Sequence, residues 1–312
     1  MSVLSRAYFY DEAAAFEHVE TILWSQGPVC HHCGAMDRAY RLKGVRTKAT
    51  KKNPQGVERH GLYKCGECRK QFTVRMGTIF EESHLPLHKW LQAIHLMVSS
   101  KKGISAHQLH RVLECTYKTA WFLAHRIREA MRSGDLTPMG GAGKFVEVDE
   151  TYIGRLADVP VGRGSAHKNA VLTLVERGGK ARSFHIDSAK VKTIMPIVRA
   201  NVAKETSMMT DEWGGYRYLG KEFAFHETVN HSKDEYVRGH AHTNTVEGFY
   251  SIFKRGMKGV YQHCAEHHMH RYLAEFDFRY SHRSALGVED SQRAIVALKG
   301  FKGKRLTYRS VD

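Results

Sequence analysis

The spacing of apolar positions predicts a chain that alternates between helical and strand periods. Over residues 8–25, Phe16, Val19, Ile22 and Leu23 fall on one face of a short amphipathic helix. Between 28 and 80 the apolar residues come in strand-like pieces, LYKC and QFTV, with a polar basic loop at 43–60. From Leu85 the period becomes helical. Pro86 suits the first turn of a helix through WLQAIHLMV, and Gly103 breaks that helix. Ser105 can cap SAHQLHRVLE, and Thr116 can cap YKTAWFLAHRIREAMR. Three helices joined by short turns predict a helix-turn-helix over 84–133.

The Gly- and Pro-rich GDLTPMGGAGK predicts a linker at 134–144, after which strands take over. KFVEVDETYI reads as one strand, and NAVLTLVE with KARSFHID as a hairpin around Gly178-Gly179. A helix, KTIMPIVRANVA, leads to the strand SMMTDE, and helical patterns return from Thr243 to about Met257 and from about 266 to 282. The expected organisation is an N-terminal helical segment (1–29), a zinc ribbon (30–80), the helix-turn-helix, the linker, a mixed α/β domain (145–282) and a basic C-terminal tail (283–312). Lys299, Lys302, Lys304, Arg305 and Arg309 make that tail basic.

Charge narrows the class of partner. A net charge of +16 and a pI near 9.6 favour a polyanion. No apolar run approaches the roughly 18 residues of a membrane span, and MSVLSRAYFYDEAAAF lacks the pattern of a secretory signal. Four of the six cysteines form two CxxC pairs, which reads as metal binding in a reducing compartment and not as a disulfide framework. The expectation is a cytoplasmic, nucleoid-associated protein with no membrane partner.

Cys30, Cys33, Cys65 and Cys68 can present four thiolates tetrahedrally to one structural Zn²⁺. The loop between the pairs carries Lys48, Lys51 and Lys52, candidates for DNA contact. In the third helix, Ala120, Leu123, Ala124, Ile127 and Met131 can pack inward, leaving Tyr117, Lys118, His125 and Arg126 for the groove or phosphates. Trp90 and Trp121 read as core. The group His263 to His270 reads as part of a packing helix and not as a second metal site.

Three acids carry the candidate chemistry. Asp149 in FVEVDETYIG and Asp211 in SMMTDEWGGY end strand-like runs, and Glu247 in HTNTVEGFYSIFKRG opens a helical one. Sixty-one residues separate the first pair and thirty-five the second. Carboxylates converging from two strands and a helix can hold two divalent cations for in-line displacement at phosphorus. Strand alternation puts Glu147 and Asp149 on one face and Glu150 on the other, and Asp149 lies nearer the strand's end. Asp187, at another strand end, is a weaker competitor. Asn244 and Glu247 are also spaced like a capping box. Lys254, Arg255 and Lys258 follow Glu247 as a basic stripe suited to a phosphate.

With ribbon, helical module and acids in this order, the chain resembles bacterial insertion-sequence transposases that carry a zinc ribbon ahead of an RNase-H-like DDE domain. The resemblance rests on YKCGECRKQFTVRMGTIF, VEVDETYIG, MTDEWGGY, HTNTVEGFYSIFKRGMKGVYQH and HRYLAEFDFRY. It implies a mixed five-stranded sheet flanked by helices, with Asp149 on the first strand, Asp211 on the fourth and the third acid on a following helix. It further implies strand cleavage and joining at transposon ends with two Mg²⁺ or Mn²⁺. In relatives an Asn can take the third catalytic position, which leaves Asn244 beside Glu247 as a candidate. The expected partners are double-stranded DNA, as transposon ends and target, and further copies of the chain in a dimer or larger assembly. A structure-selective nuclease on the same fold, and a DNA-binding regulator that has lost catalysis, are the rival readings.

Overall fold

The computed structural model describes residues 2–51, 53–135 and 137–304. Lys52 of the ribbon loop and Arg305 and Arg309 of the basic tail lie outside the described residues. The chain divides into two compact units, one formed by 1–99, 106–131 and the C-terminal segment from Asp290, the other by 100–105 and 132–289.

The first unit begins with helix α1 (Glu12–Leu23), whose N-cap Asp11 accepts from the Ala14 amide at 2.6 Å. Its buried stripe is Ala15, Phe16, Val19 and Glu20, so Ile22 and Leu23 are only half-buried. Strands β1 (Ala39–Arg41), β2 (Tyr63–Cys65) and β3 (Gln71–Phe72) form an antiparallel ribbon in that order. Helix α2 (Leu87–Ser99) is capped from a distance: Glu12 of α1 accepts the amides of Leu87 and His88 at 2.7 and 3.1 Å. Helices α3 (Ala106–Leu113) and α4 (Tyr117–Met131) meet through a short turn, and Thr116 accepts the Thr119 amide at 3.2 Å. Helix α8 (Asp290–Lys299) lies in the segment expected as a basic tail, and Ala297, Leu298 and Phe301 there are buried.

The second unit is a five-stranded sheet in the order β6-β5-β4-β7-β8. Its strands are β4 (Phe145–Ile153), β5 (Asn169–Glu176), β6 (Ala181–Ile186), β7 (Ser207–Thr210) and β8 (Phe225–Thr228). The first three pair antiparallel, while β7 runs parallel to both β4 and β8. This mixed sheet, flanked by helices, is RNase-H-like. Helix α5 (Val191–Asn201) contributes Ile194, Met195 and Val198 to a core with Val146, Val148, Leu172, Leu174 and Met208. A second core gathers Val171 and Val175 with Phe249 and Phe253 of α6 (Asn244–Gly256) and Leu273 and Phe276 of α7 (Met269–Ser281). Central β5 is buried through seven of its eight residues, as a strand covered on both faces must be. Within the segment expected as a linker, Met139 is buried and exchanges backbone hydrogen bonds with Asn201 and Ala203.

Candidate active site and zinc centre

Asp149 lies midway along β4, on the face it shares with Glu147 by strand alternation. Asp211 directly follows β7, which runs parallel beside β4, and its Oδ1 accepts the Trp213 amide at 3.1 Å. Glu247 stands in the first turn of α6 with its side chain 46% exposed. Its Oε1 accepts the Thr243 hydroxyl at 2.8 Å and lies 3.5 Å from His231 Nε2. The capping box does not form. Thr243 is the N-cap residue, Asn244 is an exposed first-turn residue, and the Thr243 hydroxyl is turned to Glu247. Asp187 follows edge strand β6, with β5 between it and β4.

Electrostatics put the acids in one neighbourhood. Burial pushes the Asp149 carboxyl up to about 8, and the charges of Glu150, Asp211 and Glu247 push it the same way. Burial also raises Asp211, aided by Glu212 and opposed by the Trp213 amide and His231. Glu150 is raised by burial and by Asp211, against the Tyr216 hydroxyl that donates to it at 2.6 Å. Glu212 goes the other way, held at about 2 chiefly by the Ser232 hydroxyl. Mutually repelling carboxylates favour positive charge among them, and an all-oxygen donor set fits Mg²⁺ or Mn²⁺. Among the described residues, only the four cysteines form a set whose ligand atoms all lie within 4.8 Å; the carboxylates are spread more widely.

Three further residues contribute, of which the sequence places Glu147 and Glu150 on β4 without a role and does not single out His231. Alternation assigns Glu150 to the opposite face, yet its charge acts on Asp149, and that of Asp211 acts on it. The adjacent acid pair was its only signal. His231 arrives on the connection from β8 to α6 and has no periodic pattern to mark it. Glu147 is fully buried and bonded to the start of α6.

The zinc centre is compact. Cys30 and Cys68 sulfurs lie 3.7 Å apart, and those of Cys33 and Cys65 3.6 Å apart. Tetrahedral zinc with bonds of about 2.3 Å sets its sulfurs about 3.8 Å from one another, so the cluster fits one structural Zn²⁺.

The basic candidates divide. Lys48 and Lys51 are exposed, as are Tyr117 and Lys118 at the start of α4, where the Tyr117 ring packs tilted against His107. Lys254 sits 5.9 Å from the Tyr250 ring, and the Tyr250 hydroxyl donates to the Asp149 carbonyl at 2.6 Å. Arg255 folds back onto Ser251, and Lys258 is exposed in the π-helical turn that follows. His125 and Arg126 do not face outward. His125 is 1% exposed against Trp121, itself half-buried. Arg126 is 6% exposed, its guanidinium over the Trp90 ring and donating to the Glu81 carbonyl at 2.9 Å. The buried face of α4 is wider than a strict apolar stripe, because the Arg126 guanidinium is itself covered by the Trp90 and Phe122 rings.

Comparison with known proteins follows the same division. Residues 140–281 match the ISXO2-like transposase domain, and residues 10–71 match the transposase zinc-ribbon domain. The chain is 27% identical over 296 residues to an uncharacterized protein in transposable element ISH50 of Halobacterium salinarum, covering 87% of this chain and 91% of that one. A solved structure, the cryo-EM simian T-cell lymphotropic virus intasome in complex with PP2A regulatory subunit B56 gamma, matches 54% of this chain and 67% of its own at 12% identity and a TM-score of 0.28. At that score the likeness says nothing of function. No helix among the described residues is long and apolar enough to cross a membrane. A cysteine-built ribbon and an RNase-H-like sheet, matched in this order, make the chain a member of the insertion-sequence transposases that carry a transposase zinc ribbon ahead of an ISXO2-like transposase domain.

Proposed function

We propose that the protein binds the terminal inverted repeats of its own insertion sequence and catalyses metal-dependent DNA strand cleavage and strand transfer. The observation that carries this reading is the convergence of Asp149, Asp211 and Glu247, acids from β4, the end of β7 and the start of α6, the latter two close enough to disfavour the charge of Asp149. These three would hold two Mg²⁺ or Mn²⁺, which when bound activate the attacking oxygen and stabilise the leaving one. Asn244, in the same first turn as Glu247, is the alternative for the third position.

The remaining residues bind and orient. Lys254, Arg255 and Lys258 follow Glu247 along α6 and the turn after it, and hold phosphates near the scissile bond. Lys48 and Lys51 of the ribbon loop, with Lys52 beside them in sequence, and Tyr117 and Lys118 of α4 engage the element's end. The burial of His125 and Arg126 removes them from that set. Joining requires two ends in one complex, so a homodimer or larger assembly is expected on double-stranded DNA. The substrate and the free cysteines both suit the bacterial cytoplasm, at the nucleoid.

The test pairs the protein with a labelled duplex of its own element's end in Mg²⁺ or Mn²⁺, beside Asp211→Ala. Nicking at the element boundary and joined products, absent from the variant, are the expected outcome. Asp149→Asn should lose cleavage and keep end binding. Cutting without joining would identify a nuclease, and end binding indifferent to metal and to the acids a regulator.

A further inference from the structure

Glu147 is a fully buried carboxylate with no role in the chemistry above. Its Oε2 accepts the backbone amides of Thr245 and Val246 at 2.8 and 2.9 Å, and its Oε1 accepts the Thr245 hydroxyl at 2.7 Å. Arg177, just beyond β5, donates to the same Oε1 at 2.6 Å. The other two nitrogens of that guanidinium donate to the carbonyls of His240 and His242, each at 2.8 Å, on the segment leading into α6.

This arrangement replaces a local cap. The first amides of a helix have no partner within the helix, and an N-cap side chain ordinarily takes one of them. Here the N-cap Thr243 makes no such bond, because its hydroxyl donates to Glu247. A carboxylate from the sheet takes the amides instead, where the helix dipole favours negative charge. Arg177, the amides and the Thr245 hydroxyl together give both buried carboxylate oxygens hydrogen-bond partners. The tie has a short lever at both ends. Glu147 precedes Asp149 by two positions on the same face of β4, and Val246 immediately precedes Glu247.

We propose that Glu147 and Arg177 form a clamp that sets the placement of Glu247 relative to Asp149, so that Glu147 is a positioning residue for the metal-holding acids. The inference rests on the reading of Asp149 and Glu247 as those acids. Residues behind metal ligands commonly matter by about 10–100-fold in metal affinity or activity.

The test uses full-length, zinc-loaded protein with Glu147→Gln and, as a milder change that keeps the carboxylate and its Arg177 pair, Thr245→Val. Three readouts are taken: amide hydrogen exchange, Mn²⁺ binding without DNA, and nicking of the end duplex. In Glu147→Gln, exchange of the Thr245 and Val246 amides should quicken by about tenfold while the ribbon is unchanged. The Mn²⁺ needed for half-saturation should rise by about tenfold or more, and nicking should fall by about 10–100-fold, with end binding retained. Thr245→Val should move all three in the same direction by less. If Glu147→Gln fails to fold, Thr245→Val decides alone. Wild-type Mn²⁺ affinity and nicking in a folded variant with quickened exchange would overturn the clamp. Wild-type protein that neither binds Mn²⁺ nor nicks would instead strike down the reading of the acids on which the clamp depends.

Discussion

A carboxylate buried among other carboxylates keeps its proton until something positive takes its place. Asp149 is the clearest case, pushed up to about 8 by burial and three neighbouring acids, against an unfolded value of about 4. Between those limits the folded chain binds more protons than the unfolded one. The resulting contribution is therefore favourable at low pH and is lost as pH rises through the window from about 4 to about 8. Asp277 of α7 adds the same sign over a narrower window, since burial against β6 raises it to about 6 despite its bonds from the Ser183 hydroxyl and amide. Melting zinc-loaded protein in buffer free of other divalent ions should thus show a falling Tm from pH 6 to 8, and Asp149→Asn should flatten that fall. Added Mn²⁺ should reverse the slope, because cation binding displaces the proton and tightens as pH rises. Parallel melting curves for wild type and variant would remove Asp149 from the charge cluster.

At the scale of the element, α6 has to do two things on opposite sides. Val246, Phe249, Tyr250, Phe253 and Met257 (the last just past its end) bury toward the sheet and α7, while Glu247 and Arg255 stay exposed. Phe253 is fully buried and meets the Phe276 ring edge-on at 5.2 Å. Phe253→Ala should cost about 3–5 kcal/mol by lost burial and a residual cavity, read as a lower urea midpoint for unfolding of the second unit. An effect of about 1 kcal/mol or less would mean that α6 is held by its polar ties and not by this stripe. Such long amphipathic elements were readable from periodicity, and α2, α4, α6, β4 and β5 fall within a few residues of their expected spans. The failures have local causes. Strand β8 is an edge of four residues, FHET, with no apolar alternation to announce it. Helix α8 and Phe301 were hidden because their apolar residues sit among lysines and arginines. His125 and Arg126 looked solvent-facing by residue type, but aromatic rings cover them. Of the candidate site, Asp211 and Glu247 stood out by position at element ends, Asp149 lies mid-strand and not near the expected strand end, and Glu147, Glu150 and His231 acquire their meaning only from contacts across about 16 to 100 residues of sequence.

Across the whole molecule, the two units rest on different kinds of stability. The second has large apolar cores packed on its five-stranded sheet, one with α5 and one with α6 and α7. The ribbon within the first has strands of three, three and two residues and a small cluster around Cys30, Tyr63, Cys65 and Phe72. Two of those four core residues, Cys30 and Cys65, belong to the four-cysteine cluster that fits a structural zinc, so a metal bound there would sit within the core. So small a sheet buries little apolar surface, and the expectation is that a bound metal supplies much of its folding free energy. Stripping zinc with a strong chelator should therefore unfold the ribbon and abolish binding to the element's end. Hydrogen exchange should quicken across residues 30–72, and the amides of β4 and β5 should keep their protection. Cys65→Ser should reproduce this without chelator, since one lost thiolate leaves a three-ligand site that binds zinc far more weakly. Because the acids belong to the second unit, the stripped protein should still take up Mn²⁺ there. End binding that survives complete zinc loss would detach recognition from the ribbon and leave it to α3 and α4. Loss of protection in β4 and β5 on chelation would instead make the two units a single cooperative body, which the separate cores of the sheet domain argue against.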